Sequence, residues 1–265
     1  MTSGATTVVP KADGDFIGFA GDTLVVLDRN AKPAAVDLSP SPHLVEVPHA
    51  NYPEGVYPQG IVDRVTTEKR GVLAASTMRL SALSGGHSVL HVYPKPTVQP
   101  TGAEVVTSPN GDYVLIQVGN PRADAGLGSS VGYDEFSLSD PHAGRPLGRY
   151  GTASEGWQMG RATFVGPRRQ VWTTVERTRS NGTTQSALIA REAGGWRRVA
   201  ANVIVALGHA DGYVVYQPGT WKTLPDTASD VPTAVPTTSA VLANGGAMYS
   251  LGLTGTEFAW VVGGA

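Results

Sequence analysis

A turn recurs six times along this chain, at spacings of roughly forty-five residues, and each copy runs into a short apolar strand. The copies are Ala20-Gly21-Asp22 before Thr23 to Leu27, Lys69-Arg70-Gly71 before Val72 to Ala75, and Pro109-Asn110-Gly111-Asp112 before Tyr113 to Val118. They continue with Gly166-Pro167-Arg168-Arg169 before Val171 to Val175, Ala210-Asp211-Gly212 before Tyr213 to Gln217, and Ala243-Asn244-Gly245-Gly246 before Ala247 to Leu251. A period of this length marks an array of supersecondary units, each too small to bury its own apolar face. Function does not follow from it, but the place to look for function does.

Four-stranded units of about 40 to 50 residues suggest propeller blades. The remaining strands are runs of alternating or continuous apolar residues between Gly, Pro, Asn and Asp. They predict strands at 15–20, 23–28, 34–38 and 44–47 in the first unit, and at 61–66, 72–76, 79–83 and 89–93 in the second. The third takes 104–108, 113–118, 132–138 and 147–150, and the fourth 158–165, 171–177, 185–191 and 196–200. The fifth begins at 203–208 and 213–217, with 221–224 as a third strand, and then becomes proline-rich. The sixth has 239–243, 248–251 and 257–262 and lacks a fourth strand, while Thr6 to Pro10 is left over.

Pairing that leftover strand with the last unit would close a ring and protect the sheet edges. The expected fold is therefore all-β, a six-bladed β-propeller closed by the N-terminal strand. The alternative is five blades plus an irregular tail. The chain of 265 residues reads as one domain, with residues 1–7 flexible. Thirty-three glycines and nineteen prolines suit many short strands and turns, and no stretch carries a capped helical stripe.

The stretch Thr107-Ser108-Pro109-Asn110-Gly111-Asp112-Tyr113-Val114 resembles the Ser-Pro-Asp-Gly-Lys-Tyr hairpin of WD-repeat-like and TolB-like propellers. The Trp-Asp dipeptide of true WD repeats does not occur. The resemblance implies a scaffold for binding proteins, peptides, sugars or small molecules, and it carries over no catalytic residue.

Composition excludes several functions. A net charge of -2 is unsuited to nucleic acid, whose phosphates call for a basic field. With no cysteine there can be neither a disulfide nor a thiolate metal site. No apolar run reaches the ~20 residues that span a bilayer, so membrane insertion is not expected. Light charge, at 16%, and the lack of an export signal at Met1 to Lys11 leave two compartments open, with an extracytoplasmic domain lacking its signal favoured over a cytoplasmic protein. A monomer is expected.

In a propeller, the loop before each inner strand and the loop between the second and third strands share one rim. That places Pro48 to Gln59 there, where Tyr52 and Tyr57 could stack on a ligand, unless they simply pack on the neighbouring blade. Two enlarged loops join it, Gly119 to Ser130 and Arg177 to Thr184, bringing Arg122, Arg177 and Arg179 near Asp124. Clustered guanidinium groups favour a carboxylate, a phosphate or an acidic partner. Inner strands should open at Gln59, Glu104, Gln158 and Asn202, with Trp157 alongside. Such a ring could hold a divalent cation, but one carboxylate among amides makes a weak cage, so no cofactor is expected.

Other motifs fail on context. Gly128-Ser129-Ser130-Val131-Gly132 matches G-x-S-x-G without the strand before it or the helix after it. His87 and His91 would lie ~13 Å apart along a strand and are no metal pair. His209 falls in a turn on the plain face. Asp13-Gly14-Asp15 reads as a turn, and so does Asn181-Gly182-Thr183, despite fitting a glycosylation acceptor. Adjacent Asp134 and Glu135 point to opposite faces of a strand.

Two functions follow. One is a non-catalytic recognition module for a partner protein, peptide or small anionic ligand on the loop face. The other is a propeller enzyme, a lyase, cyclase or hydrolase working at the channel mouth with Glu104 as its acid or base.

Overall fold

The computed structural model describes residues 12–37, 39, 41–50, 52–70, 72–94, 99–108, 110–119, 130–140, 144–165, 169–210, 213–222, 233–236, 241–243 and 248–250. Those residues are almost entirely strand, folded into five antiparallel sheets. The first sheet is β1 (Ala12–Ala20), β2 (Thr23–Asp28), β3 (Pro33–Asp37) and β4 (His43–Glu46), in sequence order across the sheet. The second is β5 (Tyr52–Tyr57), β6 (Gly60–Lys69), β7 (Val72–Ala82) and β8 (His87–Pro94). The third is β9 (Gln99–Thr107), β10 (Tyr113–Gly119), β11 (Ser130–Ser137) and β12 (Arg145–Pro146). The fourth is β13 (Gln158–Val165), β14 (Gln170–Thr178), β15 (Thr184–Glu192) and β16 (Gly195–Ala201). In the fifth, β17 (Val203–Ala210), β18 (Tyr213–Lys222), β20 (Val241–Ala243) and β21 (Met248–Ser250) lie in order, and β19 (Thr233–Pro236) also pairs with β18.

The chain divides into two compact units, residues 1–124 with 134–145 and residues 125–133 with 146–265. In the first unit, inner strand β1 lies beside β5, and β5 beside β9. Glycine makes that approach possible: a Cβ on Gly18 would meet Val56 Cγ2 at 2.6 Å, and one on Gly55 would sit 3.0 Å from the Val105 carbonyl oxygen. The Thr107 hydroxyl donates to the Val56 carbonyl across the second of these seams. Apolar clusters fill the space between sheets. One joins Ala20, Val25, Val47 and Ile61, and a larger one joins Tyr57, Val62, Met78, Leu80, Tyr93, Val114, Ile116 and Phe136. In the second unit, Val165, Trp172, Leu188, Ala190 and Val203 pack between the fourth and fifth sheets.

Each first hairpin carries its irregularity on the inner strand. Phe16 faces Val26 while Gly18 faces Val25, which leaves Ile17 as a surplus residue. Pro53 faces Asp63 and Gly55 faces Val62, so Glu54 is surplus. The same excess of one falls between Met159 and Ala162 and between Val203 and Val205, and a larger excess of three between Pro100 and Val105. Bulges of this kind bend the strand that holds them and increase its twist.

Sheet four matches the sequence reading to within a residue at every boundary. Sheet two departs from it. The segment Pro48 to Gln59, read as a connector, contains inner strand β5, and the first hairpin turns at Pro58-Gln59 between Tyr57 and Gly60. Pro53 is tolerated in β5 because that strand lies at an edge of its sheet, paired only on its β6 side. Lys69-Arg70-Gly71 consequently joins the second and third strands, and β7 runs unbroken where two strands were predicted. In the third sheet the last strand is β12, ahead of the predicted 147–150.

Residues 221–222 of the predicted third strand are the end of ten-residue β18, which is long enough for two partners: Val214 to Tyr216 pair with β20, and Gly219 to Lys222 with β19. The described strands of the predicted sixth unit therefore belong to the fifth sheet. Asp13 to Asp15 lie in β1, and His209 lies in β17, not in turns. Thr6 to Pro10 and 257–262 lie outside the described residues.

Candidate functional site

The most developed polar cluster at a sheet end is in sheet four, where Gln158 opens β13 opposite Glu176 near the end of β14. The chain enters it through Gly151, at φ 67°, and a single 3-10 turn, Ala153–Glu155. Glu155 folds back on this turn: Oε2 accepts from the Thr152 amide at 2.6 Å and lies 3.2 Å from Thr152 Oγ1. That amide bond is the main reason the Glu155 carboxyl is held below its ordinary pKa. A Cβ at Gly151 would collide with Glu155 Oε2 and Trp157 Cδ1, so glycine is needed there on steric grounds as well as for its backbone angle.

Trp157 is the centre of the cluster. The Arg177 guanidinium carbon lies 4.4 Å from the centroid of its ring, a cation–π stack, and Tyr150 meets it edge-on at 5.3 Å. Arg177 Nε donates to Gln185 Oε1 at 3.0 Å, which fixes the plane of the guanidinium, and Nη1 lies 3.7 Å from Glu155 Oε1. Arg198 Nε donates to the Tyr150 hydroxyl at 3.1 Å. Two arginines, two aromatic rings and one carboxylate thus meet on partly exposed surface.

The bulge in β13 contributes to this arrangement. The Gly160 carbonyl, beside the surplus residue, accepts from Tyr133 Oη at 2.5 Å and Thr173 Oγ1 at 2.8 Å. Anchored in this way, the bulge shifts the phase between Gln158-Met159 and the core-facing end of the strand.

The structure brings together Trp157, Gln158 and Arg177 among the residues singled out from sequence. Arg177 stands in β14, not in an enlarged loop, and the segment 179–183 is a tight turn closed by Arg179 N–H to Thr183 O at 2.9 Å. Asn181 Oδ1 accepts from both the amide and the hydroxyl of Thr183 in that turn, and Arg179 is exposed on it. In the first unit Tyr52 is 68% exposed at the start of β5, whereas Tyr57 is buried in the core at the strand's other end. Gln59 lies in the hairpin turn at that same far end and does not open an inner strand. Glu104 stands inside β9, which begins at Gln99. Asn202, at φ 55°, links β16 to β17. Arg122 and Asp124 lie outside the described residues.

Sequence reasoning missed Tyr150, Glu155, Gln185 and Arg198. Glu155 had a usable signal, the Thr152-x-x-Glu155 spacing of a capping box. The other three depend on strand register.

The first unit holds a different set of charges. Asp63, with no exposed surface, pairs with Arg79 Nη2 at 2.5 Å and accepts from Ser81 Oγ at 2.8 Å. Arg79 also donates to the His49 carbonyl at 2.7 Å, so both ends of this buried pair are occupied. Glu54 Oε1 lies 2.8 Å from Arg64 Nε, and burial pushes its pKa up despite that cation. Asp134 accepts from Tyr93 Oη at 2.9 Å, while Glu135 pairs with Arg145 at 2.6 Å. These adjacent carboxylates serve separate partners, as their alternation along β11 requires. His91 rests against Tyr93 and Phe136, and His87 against His49. Among the described residues no three metal-binding side chains converge.

Together these features define an all-β protein of four four-stranded antiparallel sheets and one five-stranded sheet among the described residues, with an arginine- and aromatic-rich sheet end. No protein-family model matches the chain, and no curated protein matches it. Among solved structures it is similar to hydrazine synthase from Kuenenia stuttgartiensis, with 13% identity and a TM-score of 0.44. That alignment covers 74% of this chain and 58% of the other, so the chain spans little more than half of its structural neighbour. A likeness of that size assigns no role to any residue.

Proposed function

We propose that the protein is a non-catalytic recognition module, and that a peptide or partner protein engages it at the end of sheet four around Trp157 and Arg177. The observation behind this reading is the Trp157–Arg177 stack, flanked edge-on by Tyr150. Tryptophan, tyrosine and arginine are the residue types that dominate binding hot spots. Here the arginine is already ordered by Gln185, so binding would immobilise little that was free. The cluster supplies a platform and cations but no paired acid and base, which favours recognition over turnover.

The scaffold in this proposal is a β-propeller of WD-repeat-like or TolB-like kind, closed by Thr6 to Pro10, with five blades among the described residues. Four-stranded meanders and inner strands lying side by side support it. Deleting residues 1–10 is expected to lower Tm, and an unchanged Tm would remove the closure.

The binding test is selection from a peptide display library against the full chain, followed by measurement on Trp157→Ala and Arg177→Ala. Hot-spot truncation of about 2 kcal/mol or more corresponds to roughly thirtyfold weaker binding. Selected peptides that bind both variants as tightly as the parent chain would overturn the assignment.

A further inference from the structure

We propose that Arg177 is the carboxylate-binding group of this sheet end, and that Glu155 stands in for the ligand until a carboxylate carried on a planar apolar group displaces it. The inference rests on the recognition reading above and specifies its ligand chemistry.

Arg177 spends Nε on Gln185 and one face of its guanidinium on Trp157. Its Nη1 is 3.7 Å from Glu155 Oε1, near enough for an ion pair and too far for a hydrogen bond. Glu155 is held from the other side, through Oε2 and Thr152, with a further hydrogen bond from the Trp157 side chain. The carboxylate is therefore positioned by its own turn and only approaches the guanidinium. An exposed pair of this kind contributes about 0.2–1 kcal/mol. A ligand carboxylate reaching both Nη atoms would make the shorter, bidentate pairing that a fixed guanidinium favours.

The rest of the cluster specifies what should carry that carboxylate. Trp157 and Tyr150 present aromatic surface beside the guanidinium, suited to a flat apolar group. The second arginine, Arg198, directs Nε to the Tyr150 hydroxyl, which fixes Tyr150 rather than adding a second grip on the anion. One guanidinium suits a monoanion, and Glu155 is itself a carboxylate resting at that position. A dianionic phosphate would call for more positive charge than Arg177 alone provides.

The experiment follows the Trp157 indole N–H signal of the 15N-labelled full chain, assigned with Trp157→Phe, during titration with benzoate, benzamide and phenyl phosphate. Benzoate is expected to shift this signal and benzamide to leave it in place, with phenyl phosphate weaker than benzoate. Glu155→Gln retains an oxygen acceptor for the Thr152 amide but removes the competing charge, so it should tighten benzoate binding about two- to fivefold. Arg177→Ala should abolish the shift, and Arg177→Lys should not restore it. The remaining indole signals and far-UV circular dichroism verify folding, and Glu155→Ala serves as a second variant. Equal or weaker benzoate binding in both Glu155 variants would overturn the competitor role, as would equal responses to benzoate and benzamide or tighter binding of phenyl phosphate. The peptide-selection result would still stand after any of these, so the two readings fail separately.

Discussion

Tyr93 donates its hydroxyl hydrogen to Asp134 Oδ2 at 2.9 Å, linking β8 to β11 within the first unit. Burial pushes the Asp134 carboxyl above its ordinary pKa; the Tyr93 bond and the charge of His91 act in the opposite direction and are outweighed. Burial and the neighbouring Asp134 carboxylate also raise the Tyr93 hydroxyl, so it remains a donor throughout the working pH range.

A pH dependence follows. With a folded pKa above the unfolded value of about 3.9, the native chain binds more protons than the unfolded one between those two values. The Asp134 contribution to stability therefore falls as pH rises through that window and is lowest at neutrality. Glu54, pushed the same way, adds to the slope. Urea midpoints at pH 4.5 and 7 should show a smaller difference for Asp134→Asn than for the parent chain. A larger difference would contradict the direction. Tyr93→Phe should cost about 1–2 kcal/mol, since Asp134 then loses its partner.

The Asp63–Arg79 pair should be far more sensitive to single than to double replacement. Arg79→Ala removes the cation paired with a fully buried carboxylate, and a loss of about 3–5 kcal/mol is expected. Asp63→Leu combined with Arg79→Met should recover much of that loss. Equilibrium urea unfolding at constant m-value measures both, and additive losses would show that the pair is not coupled.

Gly55 tests the packing of the inner strands. An alanine Cβ there would press on the Val105 backbone oxygen at 3.0 Å and Val105 Cβ at 2.9 Å, so β5 and β9 would have to separate. Gly55→Ala should destabilise by about 1–3 kcal/mol. Gly194→Ala is the control, with open space around it and an expected change within about 0.5 kcal/mol. Equal effects on Tm would refute the close approach.

Glu155 gives a site-specific readout. Its carboxyl carbon should titrate below that of an exposed glutamate in 13C NMR, because the Thr152 amide favours the charged form. Whatever stability this bond contributes is present at neutral pH and lost as pH falls through the lowered pKa. Arg177→Ala should leave most of the depression in place, since the arginine is a lesser cause than the amide. Full return to the ordinary value in that variant would mean that Arg177, not the turn, holds the carboxylate.

Sheet four was legible in the sequence because its strands, rich in Val, Thr, Trp, Ile and Leu, lie between strong turn signals, from Gln158 to Ala201. Sheet two was less so. Its inner strand, Tyr-Pro-Glu-Gly-Val-Tyr, carries proline, glycine and a carboxylate, each a mark against strand. It forms because β6 supplies the ladder, Gly55 admits Val105, and Arg64 compensates Glu54. Trp157 and Arg177 could be singled out from sequence, but the contact between them could not. It depends on the Gln158–Glu176 register, which one added residue in the bulge would change. Arg198 reaches Tyr150 over 48 residues of sequence, a distance that periodicity does not encode.

The surplus residue on each first strand lets one strand obey two masters. Side-chain facing along a strand alternates strictly, so a single extra residue reverses the sense of everything on one side of it. Beyond the bulge, Ala162 to Val165 answer to the core; before it, Met159 is still buried while Gln158 is exposed at the sheet end. Substitutions at the outer end of an inner strand can then accumulate without turning a core residue toward water.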